Sequence, residues 1–228
     1  MKKIIIASPH PRNDHLEKNL KDYAEIVRIR EPDDLSLELL EEARPDFVFF
    51  PHWSWIIPDE ILSNFNCVIF HMTDLPYGRG GSPLQNLIVR GKKETVVSAI
   101  KCVKELDAGP VYCKKQLTLD GTAEQILSRA SLIIQELIVD ILSGDCSLRE
   151  QTGEVVTFKR RKISEGNIYS LDSIEKIYDY IRMLDADGYP KAFIEIENFR
   201  LEFVDSEIVG DKIKARVENP DWTKKEIE

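Results

Sequence analysis

The residues best suited to chemistry are a histidine and an aspartate, each next to a tight turn. His71 ends the apolar run CVIFH, and Asp107 precedes a Gly-Pro turn in the segment ELDAGPVY. An imidazole titrates near neutral pH and can take or give a proton, and a carboxylate can orient it. The pair predicts acid–base catalysis if the fold brings the two residues together.

A glycine-rich loop, HMTDLPYGRGGSPLQN, begins at His71. Its glycines let backbone amides approach a ligand that a side chain would exclude. The spacing is neither GxxxxGK nor GxGxxG, so it does not indicate ATP or NAD binding. We interpret the loop as positioning a substrate, through the residues Tyr77, Arg79, Gly80, Gly81, Ser82 and Gln85.

Hydrophobic patterns predict the elements that must carry these residues. Buried strands are expected at 3–7, 25–29, 46–51 and 67–71, alternating with short helices, which is typical of a parallel sheet. Two further strands, 95–103 and 111–119, are joined by the ELDAGP turn, and a long amphipathic helix follows at 122–142. The fold class is therefore α/β, with a Rossmann-like, mostly parallel sheet flanked by helices.

The C-terminal third predicts a small α+β unit. A polar stretch with one short strand at 155–158 precedes an amphipathic helix at 173–184 and three β runs within 191–217. We therefore divide the chain into a catalytic domain, residues 1–145, and a linker with a small C-terminal subdomain, residues 146–228.

Composition restricts the partners. Asp and Glu outnumber Lys and Arg by 40 to 31, a net charge of −9, which disfavours nucleic acid as a partner. The basic cluster at 159–162 is interpreted as a solvated linker, with a phosphate contact as the alternative. No apolar stretch approaches a membrane span, so we expect a cytoplasmic protein without a membrane partner.

The four cysteines, Cys67, Cys102, Cys113 and Cys146, show no CxxC spacing. We expect them to be reduced core residues, with neither a disulfide nor a metal site, because no Cys or His pair has the spacing of metal ligands.

Two groups of motifs carry a resemblance to a known family. His71, Leu75-Pro76, Arg79-Gly80, Pro83 and Asp107-Ala108-Gly109 follow one another as in the folate-dependent formyltransferases. The segments FKRRKISEGNI and IYDYIRMLDADGYPKAFIEI resemble elements that follow the catalytic domain in methionyl-tRNA and nucleotide-sugar formyltransferases. The resemblance covers most of residues 46–196.

The resemblance implies a formyl donor and a site. The donor would be 10-formyltetrahydrofolate, with His71 and Asp107 as catalytic residues and no metal. Leu75-Pro76 would be a cis bond that aims the loop. The run FPHWSWIIPDEIL matches the family's folate pocket, whose candidates here are His52, Trp53, Ser54, Trp55, Ile56 and Asp107. For the tryptophans, covering the core is an equal alternative.

One position departs from the family. The family generally has Asn two residues before the histidine, and this chain has Ile69. The missing amide would donate a hydrogen bond to the oxyanion. His52, Ser54, Asn66 or an imidazolium form of His71 could replace it, or the chain could have lost activity.

The acceptor implied by the resemblance is the amine of a nucleotide-linked amino sugar, by preference a UDP-linked 4-amino-4,6-dideoxy sugar as in pseudaminic-acid-type pathways. His10 and Arg12, after the first strand, are candidates for contacting it, with a plain turn as the alternative. The other functions considered are methionyl-tRNA formylation and binding of folate or a nucleotide without catalysis. A homodimer is left open.

Overall fold

The structure is a computed structural model that describes residues 1–196 and 199–218. Its contacts divide the chain into two compact units. The first unit comprises Met1–Pro83, Glu94–Thr118 and Leu127–Lys159. Among the described residues, the second comprises Leu84–Lys93, Leu119–Ile126, 160–196 and 199–218. The domain division at residue 145 stays a prediction.

The first unit is built on a six-stranded sheet in the order β2-β1-β3-β4-β6-β7. The neighbours among β1 to β4 pair in parallel, while β6 is antiparallel to β4 and to β7. The remaining two strands, β5 and β8, form a separate parallel pair. The strands are β1 (Lys2–Ala7), β2 (Ala24–Ile29), β3 (Phe47–Phe50), β4 (Cys67–His71), β5 (Tyr77–Gly80), β6 (Glu94–Lys101), β7 (Val111–Thr118) and β8 (Val156–Phe158).

Six α-helices lie in the described part of the chain, and none of them is long and apolar enough to cross a membrane. Local signals explain their ends: the Ser36 hydroxyl accepts the N–H of Leu39 and caps α2, and Arg44 ends that helix in the left-handed conformation. The helices are α1 (His15–Leu20), α2 (Leu37–Ala43), α3 (Asp59–Asn64), α4 (Pro83–Val89), α5 (Ala123–Ser143) and α6 (Ile174–Leu184). The mostly parallel α/β fold predicted from the sequence is confirmed.

Alternation along the strands decides which residues face the site. Ile5, Val48 and Phe50 belong to one buried cluster, together with residues of α2 and α3. Ile69 packs against that cluster. Because side chains two apart on a strand share a face, His71 projects from the same side of β4 as Ile69.

One local prediction was wrong because a long-range contact overrides it. The stretch Tyr77–Gly80 was expected to be a loop, but it is strand β5. Its partner β8 lies more than seventy residues away, so no local pattern could reveal it.

The second unit contains a three-stranded antiparallel sheet, ordered β11-β10-β9. Helix α6 begins where Ser173 accepts the N–H of Lys176, and it buries Ile181, Met183 and Leu184. The strands of this unit are β9 (Ala192–Ile196), β10 (Phe199–Val209) and β11 (Lys212–Glu218). The predicted small α+β unit, with one helix and three strands, is confirmed.

A buried arginine joins two segments of the second unit. Arg182 is 3% exposed. Its Nη1 donates to the carbonyl oxygens of Leu119 and Gly121 at 2.6 and 3.0 Å. Its Nε donates to the Asp179 carboxylate at 2.7 Å. A buried charge that is fully partnered in this way fixes the segment before α5 against α6.

We expect Arg182→Met to lower the free energy of unfolding by about 3 kcal/mol, because it leaves a carboxylate and two carbonyl oxygens without donors. Urea unfolding followed by circular dichroism measures this. Lys176→Met is the matched control, since Lys176 is an exposed residue of the same helix. It pairs with Asp172, which precedes the helix. The midpoint of the control should stay near the wild-type value. Equal midpoints for the two variants would contradict the assigned role of Arg182.

Candidate active site

His71 is the last residue of β4 and lies opposite Ser98 of β6. Its side chain is buried, and Nε2 lies 2.8 Å from the carbonyl oxygen of Gly78. Because a carbonyl can only accept, this nitrogen carries a proton. The glycine-rich loop therefore orients the ring, and Nδ1 faces the turn between β6 and β7.

Asp107 reaches His71 from that turn. Its φ of 53° is left-handed, which aspartate tolerates better than most residues. The buried carboxylate accepts the Gly80 N–H through Oδ2 at 2.8 Å, and Oδ1 lies 3.6 Å from Nδ1 of His71. The two side chains are too far apart for a direct hydrogen bond but close enough to contact one substrate atom.

Two glycines make this approach possible. Gly80 has a φ of 103°, and a Cβ there would overlap the carbonyl oxygen of Phe158, its partner on β8. A Cβ on Gly109 would overlap the carbonyl oxygen of Lys101. Any side chain at either position would therefore push apart the strands that hold Asp107 in place.

The other loop candidates have contacts within the protein. The Leu75-Pro76 bond is cis, as the resemblance implies. Tyr77 packs edge-on against Phe158, with ring centroids 5.4 Å apart, and Gly81 donates its N–H to the Phe158 carbonyl. Ser82 has a φ of 51° where the loop meets α4.

Arg79 and Gln85 were expected to bind a substrate, but both side chains already have partners within the protein. Arg79 donates through Nε and Nη2 to Gln151, at 3.1 and 2.9 Å, and its Nη1 lies 3.3 Å from Glu105. Gln85 belongs to the second unit, where its buried amide donates to the carbonyl oxygen of Met183. Their contact with an acceptor stays a prediction.

The segment after β3 separates into core and surface. Trp53 is 8% exposed and packs in the buried cluster against Phe50, whereas Trp55 is 46% and Ile56 94% exposed. Ser54 is also exposed. The indole N–H of Trp53 finds no acceptor among the described residues. Trp53 therefore covers the core, as the alternative interpretation held, yet offers a buried donor.

Three basic side chains gather near the carboxyl ends of β1 and β3. The rings of His10 and His52 meet edge-to-face, with centroids 4.5 Å apart. Burial, then the positive charges of His10 and Arg12, lowers the pKa of His52 to about 3. The sheet order reverses direction between β1 and β3, and open α/β sheets bind ligands at that point.

Apart from His71, strand β4 has no polar side chain close to position 69 that could replace the amide implied there by the resemblance. Ile69 is partly buried against apolar residues. Asn66 precedes β4 at the opposite end from His71, and its amide donates to the carbonyl oxygen of Asp46. Phe50, the last residue of β3, pairs with Ile69, and His52 follows in a turn with a φ of 57°. Replacement of the missing donor by His52 or Ser54 stays a prediction.

Sequence reasoning missed two features beside the site. Gln151, in the predicted linker, contacts both Arg79 and the backbone of Asp107. Cys113 and Cys146 form a disulfide, so the expectation of four reduced cysteines was wrong for this pair. Backbone pairing of Val111 with Arg149 brings the segment after α5 alongside β7 and carries the two cysteines together. Cys67 and Cys102 are free and buried, as expected.

His52 should make stability depend on pH. With a folded pKa near 3 and an ordinary value of 6.5, only the unfolded chain binds a proton between these values, so stability falls as pH drops below 6.5. From pH 7 to 5 the loss reaches about 2 kcal/mol. His52→Asn keeps a residue that tolerates positive φ and removes the titrating ring. Urea unfolding should show a smaller loss in this variant, and identical losses would contradict the assignment.

Two family models match successive parts of the chain. The family model described as formyl transferase matches residues 13–141, and that of the methionyl-tRNA formyltransferase C-terminal domain matches residues 163–219. Methionyl-tRNA formyltransferase of Thermotoga maritima is 30% identical over 184 residues, covering 75% of this chain. The chain spans only 58% of that relative's length.

Solved structures agree with the fold. Methionyl-tRNA formyltransferase from Clostridium thermocellum superposes with a TM-score of 0.93 at 46% identity, covering 96% of this chain and 99% of that one. A 4-N formyltransferase from Francisella tularensis gives 0.68 at 13% identity, covering 86% and 93%, which is a likeness of fold. Since the formyl transferase model spans more than half of the chain and includes both His71 and Asp107, this chain belongs to the formyl transferase family.

Proposed function

We propose that the protein is an N-formyltransferase that moves a formyl group from 10-formyltetrahydrofolate to a primary amine. The observation that carries the proposal is the convergence of His71, Asp107 and the Gly80 amide at the end of β4. Family membership supports the same reaction class.

The arrangement suits the proton movements of this reaction. The amine nitrogen attacks the formyl carbon, the bond from that carbon to N10 of the folate breaks, and one proton passes from the amine to N10. The Asp107 carboxylate can accept the amine proton. A protonated His71 can stabilise the oxyanion or donate a proton to N10. Burial of both groups excludes water, which would otherwise take the formyl group.

The segment after β3 is the proposed folate pocket. Trp55 and Ile56 expose apolar surface that a pterin ring could cover, and the buried Trp53 N–H is a donor for a pterin heteroatom. His52 and Ser54 complete this segment. The pairing of Phe50 with Ile69 puts its start beside β4, the strand that ends in His71.

For the acceptor we propose a nucleotide-linked amino sugar, by preference a UDP-linked 4-amino-4,6-dideoxy sugar. Arg12 provides positive charge at the switch point of the sheet, and His10 and the uncharged His52 lie beside it with ring nitrogens, so the phosphates of a nucleotide could bind there. A net charge of −9 disfavours a long polyanion such as tRNA.

Methionyl-tRNA is the second candidate acceptor. The C-terminal model match and the 46% identical Clostridium structure both carry that name. The basic cluster at 159–162 could contact its phosphates. Binding of folate without transfer is the third candidate, because Ile69 replaces the amide expected by resemblance.

One turnover assay ranks these candidates. Purified protein is mixed with 10-formyltetrahydrofolate and either UDP- and dTDP-linked 4-amino-4,6-dideoxy sugars or methionyl-tRNA, and tetrahydrofolate release and product mass are measured. We expect sugar formylation, reduced by about 10²–10⁴-fold in His71→Ala and Asp107→Ala, since both lose acid–base catalysis. Formylation of tRNA alone would reverse the ranking. Folate binding without turnover on either acceptor would overturn the enzyme proposal.

Position 69 gives a gain-of-function test. Ile69→Asn puts an amide donor on the face of β4 that carries His71. One oxyanion donor is worth about 10²–10³-fold in kcat where geometry is ideal, and we expect a rise of about tenfold with little change in KM. Ile69→Leu, which keeps an apolar side chain, should give no rise. A fall in kcat for Ile69→Asn, with its fold intact, would contradict the inference that the site lacks an oxyanion donor at position 69.

A further inference from the structure

A short segment after α5, residues 145–151, is attached at two points to β7, within the first unit. We call it the strap. Cys146 is disulfide-bonded to Cys113 of β7. Arg149 exchanges two backbone hydrogen bonds with Val111, at 2.8 and 2.9 Å. These attachments fix where the end of the strap, Gln151, can reach.

The Gln151 amide makes four hydrogen bonds that join two loops of the site. Its Oε1 accepts Nε and Nη2 of Arg79, at 3.1 and 2.9 Å. Its Nε2 donates to the carbonyl oxygens of Asp107 and Gly109, both at 2.8 Å. One side chain thus ties β5 to the turn that carries the catalytic carboxylate.

The chemistry of this bridge selects an amide. Only a side chain that accepts at one atom and donates two protons at another can satisfy a guanidinium and two carbonyl oxygens together. Glutamate could still accept from Arg79, but its second oxygen would face the Asp107 and Gly109 carbonyls without a proton. Methionine has similar length and could make neither contact.

The backbone of Asp107 needs such support. Its left-handed φ directs the carboxylate back toward Gly80 and His71. A non-glycine residue holds this conformation only when its surroundings stabilise it. Gln151 supplies that stabilisation by holding the carbonyls on both sides of Ala108.

We propose that Gln151 is a positioning residue: it holds the Asp107 turn so that the carboxylate stays between the Gly80 amide and His71. The effect on catalysis rests on the proposed formyl transfer, whereas the effect on geometry does not. Gln151 lies outside the acid–base pair and acts through Asp107.

Gln151→Glu and Gln151→Met test this, with Glu150→Gln as the matched control, because Glu150 is the exposed neighbour and undergoes the reverse chemical change. We expect kcat to fall about tenfold or more in both Gln151 variants, with the KM for 10-formyltetrahydrofolate changed less than twofold. The control should keep the wild-type kcat.

A second readout needs no turnover. The Gly80 amide proton is bonded to Asp107, so its NMR shift and hydrogen-exchange rate report where the carboxylate lies. Both Gln151 variants should shift this resonance and speed its exchange about tenfold, relative to other β5 amides. Wild-type Gly80 protection and kcat in both folded variants would overturn the proposal.

The two readouts separate the positioning proposal from the proposed function. If Gly80 responds as expected while even the wild-type protein formylates no acceptor, the positioning role stands and the proposed function fails. If the wild type is active and the variants lose kcat while Gly80 keeps its shift and exchange rate, the positioning role is wrong.

Discussion

The site depends on the hydrogen bond between the Gly80 N–H and the Asp107 carboxylate. This bond joins the end of β5 to the turn between β6 and β7, and it leaves the second carboxylate oxygen 3.6 Å from His71. Charge-assisted bonds of this kind are stronger than neutral ones, especially when buried. Without this bond, the carboxylate of Asp107 would lose the donor that holds it beside His71.

Much of the first unit serves this contact. Strand β8 holds β5 in place, and Gly80 can approach only because it lacks a side chain. The antiparallel pairing of β6 with β4 sets Lys101 opposite Val68 near the start of β4, so the residues after β6 must fold back for the Asp107 carboxylate to reach His71. The apolar cluster beneath Ile69 supports the strand from one face and accommodates an isoleucine where the resemblance implied an asparagine.

The sequence was sufficient for features with local signals. Strand β4, the β6–β7 hairpin and helices α5 and α6 follow from hydrophobic period and turn chemistry, and the order of His71, the loop and Asp107 indicated the family. It was insufficient where distant segments meet. The β5–β8 pair, the Cys113–Cys146 disulfide and the contacts of Gln151 join residues 33 to more than 70 positions apart. A polar stretch without periodicity gives no sign of such partners.

In the proposed reaction, His71 and Asp107 face the atom at which the formyl group is transferred. The most direct measurement is a crystal structure of this protein with a non-transferring analogue of 10-formyltetrahydrofolate. We expect N10 of the analogue to lie within hydrogen-bond reach of His71 or Asp107, with the pterin against the segment that follows β3. An analogue bound away from the end of β4, with both side chains distant from N10, would contradict this expectation.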